Sequence, residues 1–201
     1  MPVQVIDARC SGCGAGIAPS MSACEYCGKP VVITSFNNIA DRNAQEVSKL
    51  LQALEKDPEA DGTLSALAQF TQGSCCLKLH LYDKALANFE AAIDKDPNNP
   101  EACFYAAVSL LKGRKACLTP MSDIRKALDY INAAIAIEPR GVFSYFAAYL
   151  KNDFFAKKFL RINPDWQMEF QTAVANNLTP TDASLLFQTL GVPCPDALRF
   201  E

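Results

Sequence analysis

Four of the nine cysteines stand in two close pairs near the amino terminus, Cys10 with Cys13 and Cys24 with Cys27. Ten residues separate the two pairs. Four thiolates in this pattern can occupy the corners of a tetrahedron about 2.3 Å from a Zn²⁺ ion. They also close the coordination sphere and leave no open position for a substrate. The spacing therefore predicts a structural zinc site, with Zn²⁺ as the expected cofactor.

Glycines and short apolar runs surround these pairs. Gly14 and Gly28 each follow the second cysteine of a pair, where glycine allows a positive φ that turns backbone N–H groups toward the sulfurs. The segment resembles a zinc ribbon, and residues 3–8 and 31–34 are the expected strands. A module of residues 1–35 is too small to build a sufficient core alone. Bound metal should therefore supply its folding energy.

Other uses of these cysteines stay open. A disulfide framework is one, but an odd number of cysteines after a start without a secretory pattern favours reduced thiols in the cytoplasm. A redox-active pair is another, although no thioredoxin-like βαβ pattern surrounds it. Binding of DNA or RNA by the ribbon is a further alternative. The charges of Asp7, Arg9, Glu25 and Lys29 sum to zero, so electrostatics give it little support.

Composition excludes several classes of function. The 201 residues carry a formal net charge of −3, which favours neither nucleic acid nor an anionic membrane as a partner. No run of about 18 apolar residues predicts a membrane span. No phosphate-binding loop, nucleophile elbow or metal-hydrolase motif is present, so the sequence predicts a protein that is not an enzyme.

A helix-turn-helix pattern occupies residues 66–99. Its diagnostic positions are Gly73, Ala85, Phe89, Ala92 and Pro97. The glycine and the first alanine are small where two antiparallel helices must approach closely, and the phenylalanine fills the space between them. Proline cannot continue a helix and therefore marks the boundary. The pattern resembles the tetratricopeptide repeat, although Gln69, Gln72 and Cys76 depart from that family in the first helix.

The end of this unit is echoed along the chain, which indicates a degraded array. Similar endings close at Pro58, Pro97, Pro139 and Pro164. The expected fold is mainly α, a short array of helical hairpins behind the small β ribbon. The predicted parts are the ribbon 1–35, a linker 36–43, a helical domain 44–201, the best repeat 66–99, a second repeat 100–141 with an insertion around 113–122, and a degenerate repeat with capping helices 142–190. Residues 142–163 form either one helix or a hairpin that turns at Asn152-Asp153.

Local signals predict several element ends. Asn43, with Glu46 three residues later, is a helix cap. Thr181 is expected to cap the last helix, which Gly191 ends. Trp166, Phe170 and Val174 repeat every four residues and mark one further helix.

The resemblance to tetratricopeptide repeats implies a groove that binds a protein or peptide. The residues expected to line it are Leu67, Phe70, Ser74, Leu77, Lys78, Glu101, Phe104, Tyr105, Val108 and Lys112. This set favours an apolar or amphipathic partner. The expected function is a non-enzymatic scaffold in the cytoplasm, whose ribbon docks a second partner. Filling of the groove by the chain's own last helix, self-association and a nucleic-acid adaptor stay open as alternatives.

Overall fold

The computed structural model describes residues 13, 15–16, 21, 23–29, 42–56 and 65–199. Clustering of contacts divides the chain into two compact units, residues 1–95 and 96–201. The α-helices of the described ranges are α1 Ala44–Lys56, α2 Ala66–Lys78, α3 Tyr82–Lys95, α4 Pro100–Leu111, α5 Met121–Ile137, α6 Gly141–Leu150, α7 Trp166–Ala175 and α8 Pro180–Leu190. Helices α2 with α3, α4 with α5 and α6 with α7 form hairpins. The predicted mainly helical class is confirmed.

The β ribbon is not supported by the described residues. Its predicted strands, 3–8 and 31–34, lie outside them. Gly16 and Ala23 form isolated β-bridges, and no longer strand is present in the parts of 13–29 that the structure describes. Every helix of the described ranges is too short or too polar to cross a bilayer.

Helix α1 packs on α2 through an apolar face. The Asn43 side chain accepts a hydrogen bond of 3.0 Å from the Glu46 N–H, which confirms the cap. The buried cluster between the two helices consists of Val47, Leu50, Leu54 and Cys75, with Leu51 and Leu79 against it. Burial of these side chains stabilises the association of α1 with the first hairpin.

The hairpin of α2 and α3 closes around a glycine and a phenylalanine. A Cβ atom added at Gly73 would lie 2.8 Å from the ring of Phe89. The rings of Phe70 and Phe89 lie 5.7 Å apart, and both side chains are fully buried. Ala85 and Ala92 are also fully buried. The predicted close approach of the two helices at Gly73 and Ala85 is confirmed, and a larger side chain at Gly73 would have to displace the Phe89 ring.

The second hairpin contains the predicted insertion. Lys112 adopts a left-handed conformation and ends α4, and a 3₁₀ turn follows at Ala116–Leu118. Two backbone N–H groups of this turn donate hydrogen bonds to the third hairpin. The Ala116 N–H donates to the Tyr149 hydroxyl at 3.2 Å, and the Cys117 N–H donates to the Asp153 carboxylate at 2.9 Å. The insertion is therefore anchored to the interior.

The open question about residues 142–163 is answered by the third hairpin. Helix α6 continues through a π-helical turn at Lys151–Phe155 and a 3₁₀ turn at Ala156–Lys158. It is one helical stretch with no turn at Asn152-Asp153, and its hairpin partner is α7. The predicted helix marked by Trp166, Phe170 and Val174 is confirmed as α7, although Val174 is 46% exposed. Glu169 and Ala173 are the buried residues of that helix, since tertiary packing selected a different side.

The last helix covers part of this unit. Helix α8 contacts α4 and α6, and the Phe187 ring packs edge-on against Tyr145 and Tyr149 at 5.9 and 5.2 Å. Its cap is Thr179, which forms a reciprocal capping box with Asp182. The prediction of Thr181 as the cap is therefore wrong. Gly191 ends the helix with a φ of +67°, as predicted.

Candidate functional site

Three of the four paired cysteines converge in the structure. The Sγ atoms of Cys13, Cys24 and Cys27 all lie within 4.8 Å of one another, and those of Cys13 and Cys24 are 3.6 Å apart. Tetrahedral Zn–S bonds of about 2.3 Å place two sulfurs about 3.8 Å apart. The spacing of the thiols therefore fits a zinc ion. The fourth predicted ligand, Cys10, lies outside the described residues.

The backbone of the second pair forms a closed turn. Gly28 has a φ of +73°, and its N–H donates to the Cys24 carbonyl oxygen at 2.9 Å. The Cys24 N–H donates in turn to the Lys29 carbonyl oxygen at 2.8 Å. The predicted positive φ of Gly28 is confirmed. Gly14 lies outside the described residues.

One arginine ties the cysteine segment to the first helices. The Arg42 guanidinium donates to the Met21 carbonyl oxygen at 3.3 Å, and the residue is buried. Burial lowers the pKa of this guanidinium, while the neighbouring Cys75 and Glu46 oppose that change. The contact orients the segment that carries Cys24 relative to the start of α1.

The α2 part of the predicted groove lies mostly inside the protein. Phe70, Ser74 and Leu77 are at most 3% exposed, and the Ser74 hydroxyl donates to the Phe70 carbonyl oxygen at 2.9 Å. Leu67 and Lys78 are half-buried. A partner at this helix would therefore meet the last two side chains first.

The α4 part of the predicted groove is also largely internal. The Phe104 ring lies 5.0 Å from Phe143 and 5.6 Å from Phe146 of α6. Burial, followed by the charge of Glu101, raises the pKa of Tyr105. Val108 is 1% exposed. These apolar side chains form core contacts, since each hairpin must bury one face against the next.

The polar members of the α4 part are more accessible. Glu101 is half-buried and pairs with Arg140 at 3.0 Å, while Lys112 is exposed at the end of α4. The role of the ten residues in binding a partner stays a prediction. Their exposed surface is contributed chiefly by Leu67, Lys78, Glu101 and Lys112.

Two polar clusters in the third hairpin were not predicted from the sequence. Lys151 pairs with Glu169 at 2.5 Å, and both side chains are at most 10% exposed. Asp153, which is 1% exposed, accepts hydrogen bonds from the Cys117 N–H and from Lys157. The available signal was a lysine and an aspartate within the otherwise apolar run after Gly141. Glu169 and the Cys117 N–H lie in other elements, so local spacing could not identify them, whereas Lys157 is four residues from Asp153 in the same helical stretch.

Comparison with known families supports the helical pattern. Residues 66–99 match the family model of the tetratricopeptide repeat. No curated protein matches the chain. The match covers one helical hairpin, α2 with α3, and the packing of these two helices agrees with it. Repeats of this family generally mediate protein–protein interaction and are generally not catalytic.

Proposed function

We propose that this protein is a non-enzymatic scaffold that binds a protein partner through its tetratricopeptide-like helices. The observation that carries the proposal is the family match at residues 66–99. The packing of the two helices of that repeat also supports the proposal, because the Phe89 ring lies directly against Gly73.

The partner surface consists of the exposed parts of the first helices. Leu67 supplies apolar area, while Lys78, Glu101 and Lys112 supply charges of both signs. Within the first unit, Leu67 and Lys78 suit an amphipathic segment, whose apolar side contacts the leucine and whose charged side meets the lysine. The buried residues of the predicted groove hold the helices in position beneath it.

A structural zinc site forms the second part of the proposal. Cys10, Cys13, Cys24 and Cys27 hold Zn²⁺ within a ribbon of residues 1–35, and the convergence of three Sγ atoms supports this ligand set. Four soft thiolates suit Zn²⁺ and leave no position for a substrate. Residues 36–43 then link the ribbon to the helical domain 44–201 in a cytoplasmic protein, and the ribbon docks a second partner.

The partner surface is tested by affinity capture with Leu67→Gln. Glutamine keeps the helical propensity but removes the apolar contact. We expect recovery of the partner to fall about tenfold, the equivalent of about 1.4 kcal/mol. The matched control is Leu118→Gln, since Leu118 is 68% exposed and lies outside the predicted surface. Equal recovery by the intact chain and by both variants would show that the surface is wrong.

The zinc site is tested by metal analysis of the purified chain. We expect about one Zn²⁺ per chain, and a large loss in Cys24→Ser, because metal supplies the folding energy of so small a module. Removal of zinc should unfold the segment that contains Gly28 and leave the α2–α3 hairpin folded, as amide NMR signals would report. A zinc content far below one per chain in the intact protein would rule out the site.

The alternative, an adaptor associated with nucleic acid, lacks a specific observation in its favour. Lys29 is the sole cation among the described residues of 13–29. Proteins that bind DNA or RNA through the phosphate backbone need several.

A further inference from the structure

A pocket of about 550 Å³ opens on the second unit, between the end of the α6 stretch and the start of α7. Its walls include Phe155, Leu160, Ile162 and Trp166. A space of this size and character accepts a large apolar group. The pocket lies apart from the surface proposed above and is independent of that proposal.

The charged side chain of Lys151, which lines the pocket, does not favour a charged ligand. Lys151 is 5% exposed, and its ammonium group pairs with Glu169 at 2.5 Å. It also donates to the Pro164 carbonyl oxygen at 2.9 Å. Because the glutamate already neutralises the lysine, an anionic occupant would gain little from it. The apolar walls therefore decide what binds.

A side chain that suits this pocket stands beside it on the same turn. Phe159 is 95% exposed, more than any other large apolar side chain in the described part of the chain. Its φ of +56° is left-handed and costs free energy for a residue with a bulky side chain. The Phe159 N–H donates to the Ala156 carbonyl oxygen at 3.0 Å, and the Leu160 N–H donates to the Phe155 carbonyl oxygen at 2.8 Å. These hydrogen bonds fix the backbone of the turn from which the Phe159 ring extends into solvent.

We propose that two copies of this chain associate about a two-fold axis, each inserting Phe159 into the apolar pocket of the other. A two-fold interface pairs one surface patch with the same patch of the second copy. The protruding side chain and the pocket that receives it must therefore lie on the same patch. The turn from Phe155 to Trp166 carries both. The rim is also self-complementary in charge, because Arg161 of one copy can face Asp165 of the other.

The interface is small, which sets its expected strength. A buried phenylalanine contributes about 150–250 Å², so two rings and their rims fall short of the roughly 1,600 Å² of a standard stable complex. The association should therefore be weak and depend on protein concentration.

Sedimentation equilibrium of the full chain over a wide concentration range tests the proposal. Trp166, the only tryptophan, lies in the pocket wall, so its emission should shift to the blue as copies associate. Phe159→Ala should weaken association at least tenfold and keep the emission independent of concentration. This variant should fold, because it removes an exposed ring. The matched control is Leu118→Ala, which removes another exposed apolar side chain and should associate like the intact chain.

Three results would overturn the proposal. One is an intact chain that stays monomeric at every concentration with constant Trp166 emission. The other is a dimer that Phe159→Ala leaves unchanged, which would place the contact elsewhere. A monomeric chain whose emission shifts when N-acetylphenylalanine amide is added would also count against a second copy. In that case the pocket accepts an aromatic side chain from a different protein.

Discussion

The first and third hairpins both use a glycine to bring their helices together, but the glycines face different neighbours. At Gly73 the nearest atoms belong to the side chain of Phe89, 2.8 Å from an added Cβ. At Gly141 they belong to the backbone, with the Leu178 nitrogen at 2.6 Å and the Ala173 carbonyl oxygen at 2.7 Å. A side chain can adjust its position and a backbone cannot, so the irregular hairpin has the stricter requirement.

The two hairpins also differ in their buried polar groups. In α2 the hydroxyls of Thr71 and Ser74 donate to carbonyl oxygens one turn earlier in the same helix. In the α6–α7 hairpin Lys151 and Glu169 satisfy each other across two elements. The hydrogen bonds in α2 form within one helix and therefore tolerate substitutions in the partner helix. The ion pair requires both Lys151 and Glu169, which lie far apart in the sequence.

The largest expected effect comes from breaking that ion pair. Lys151→Met leaves the Glu169 carboxylate buried without its cation, which should lower the free energy of unfolding by about 3–5 kcal/mol. Urea denaturation followed by circular dichroism measures the loss. The double variant Lys151→Met/Glu169→Leu should recover most of it, because an apolar pair of similar size removes the unpaired charge. A single variant as stable as the intact protein would show that the pair contributes little.

An intermediate effect is expected at the glycines. Gly141→Ala should cost about 2–3 kcal/mol, since the added methyl group meets backbone atoms in a close-packed interface. Gly73→Ala should cost about 1 kcal/mol, because the Phe89 ring can shift and alanine favours the helix. Thermal unfolding of the two variants side by side measures the difference. A larger loss of stability in Gly73→Ala than in Gly141→Ala would contradict the proposed difference between the two hairpins.

The smallest expected effect depends on pH. Burial opposes ionisation of Asp153, but hydrogen bonds from Lys157 and the Cys117 N–H outweigh it and hold the pKa of this carboxyl below its usual range. The stabilisation is therefore present above the unfolded pKa of about 3.9 and is lost as pH falls through the lower folded value.

Asp153→Asn removes this charge while keeping a similar shape. It should cost about 1 kcal/mol at neutral pH, because one partner, Lys157, is half exposed and solvent screens the pair. Denaturation midpoints measured from neutral to acidic pH should converge for the intact chain and the variant. Parallel midpoints across the whole range would contradict the assigned role of the carboxylate.

Much of helix α1 and of the first hairpin could be predicted from the sequence, because their signals are local. The Asn43 cap depends on a residue three positions later, and the small residues of 66–99 repeat at helical spacing. The third hairpin was less predictable. The cap of α8 was mispredicted although its signal is local, because Asp182 follows Thr179 by three residues and completes the capping box. Val174 fits the helical period, yet α7 turns Glu169 and Ala173 inward.

The candidate site also has one part that could be predicted from the sequence and one part that could not. Spacing alone identified Cys13, Cys24 and Cys27 as a group, and the structure brings their sulfurs together. The predicted groove included Phe104 because it is apolar and lies on a first helix. The structure packs that ring against Phe143, since burial depends on the following hairpin.

The sequence by itself determined the features that arise within a few residues: the cysteine pairs, the repeat pattern that ends at Pro97, and the positive φ of Gly28. Only the tertiary structure decided that Lys151 meets Glu169 and that Asp153 accepts the Cys117 N–H, contacts that span 18 and 36 residues of the chain. It also decided that Phe159 stands in solvent beside an apolar pocket. Contacts between distant elements leave no periodic signal, because each element follows only its own helical repeat and folding chooses which faces meet.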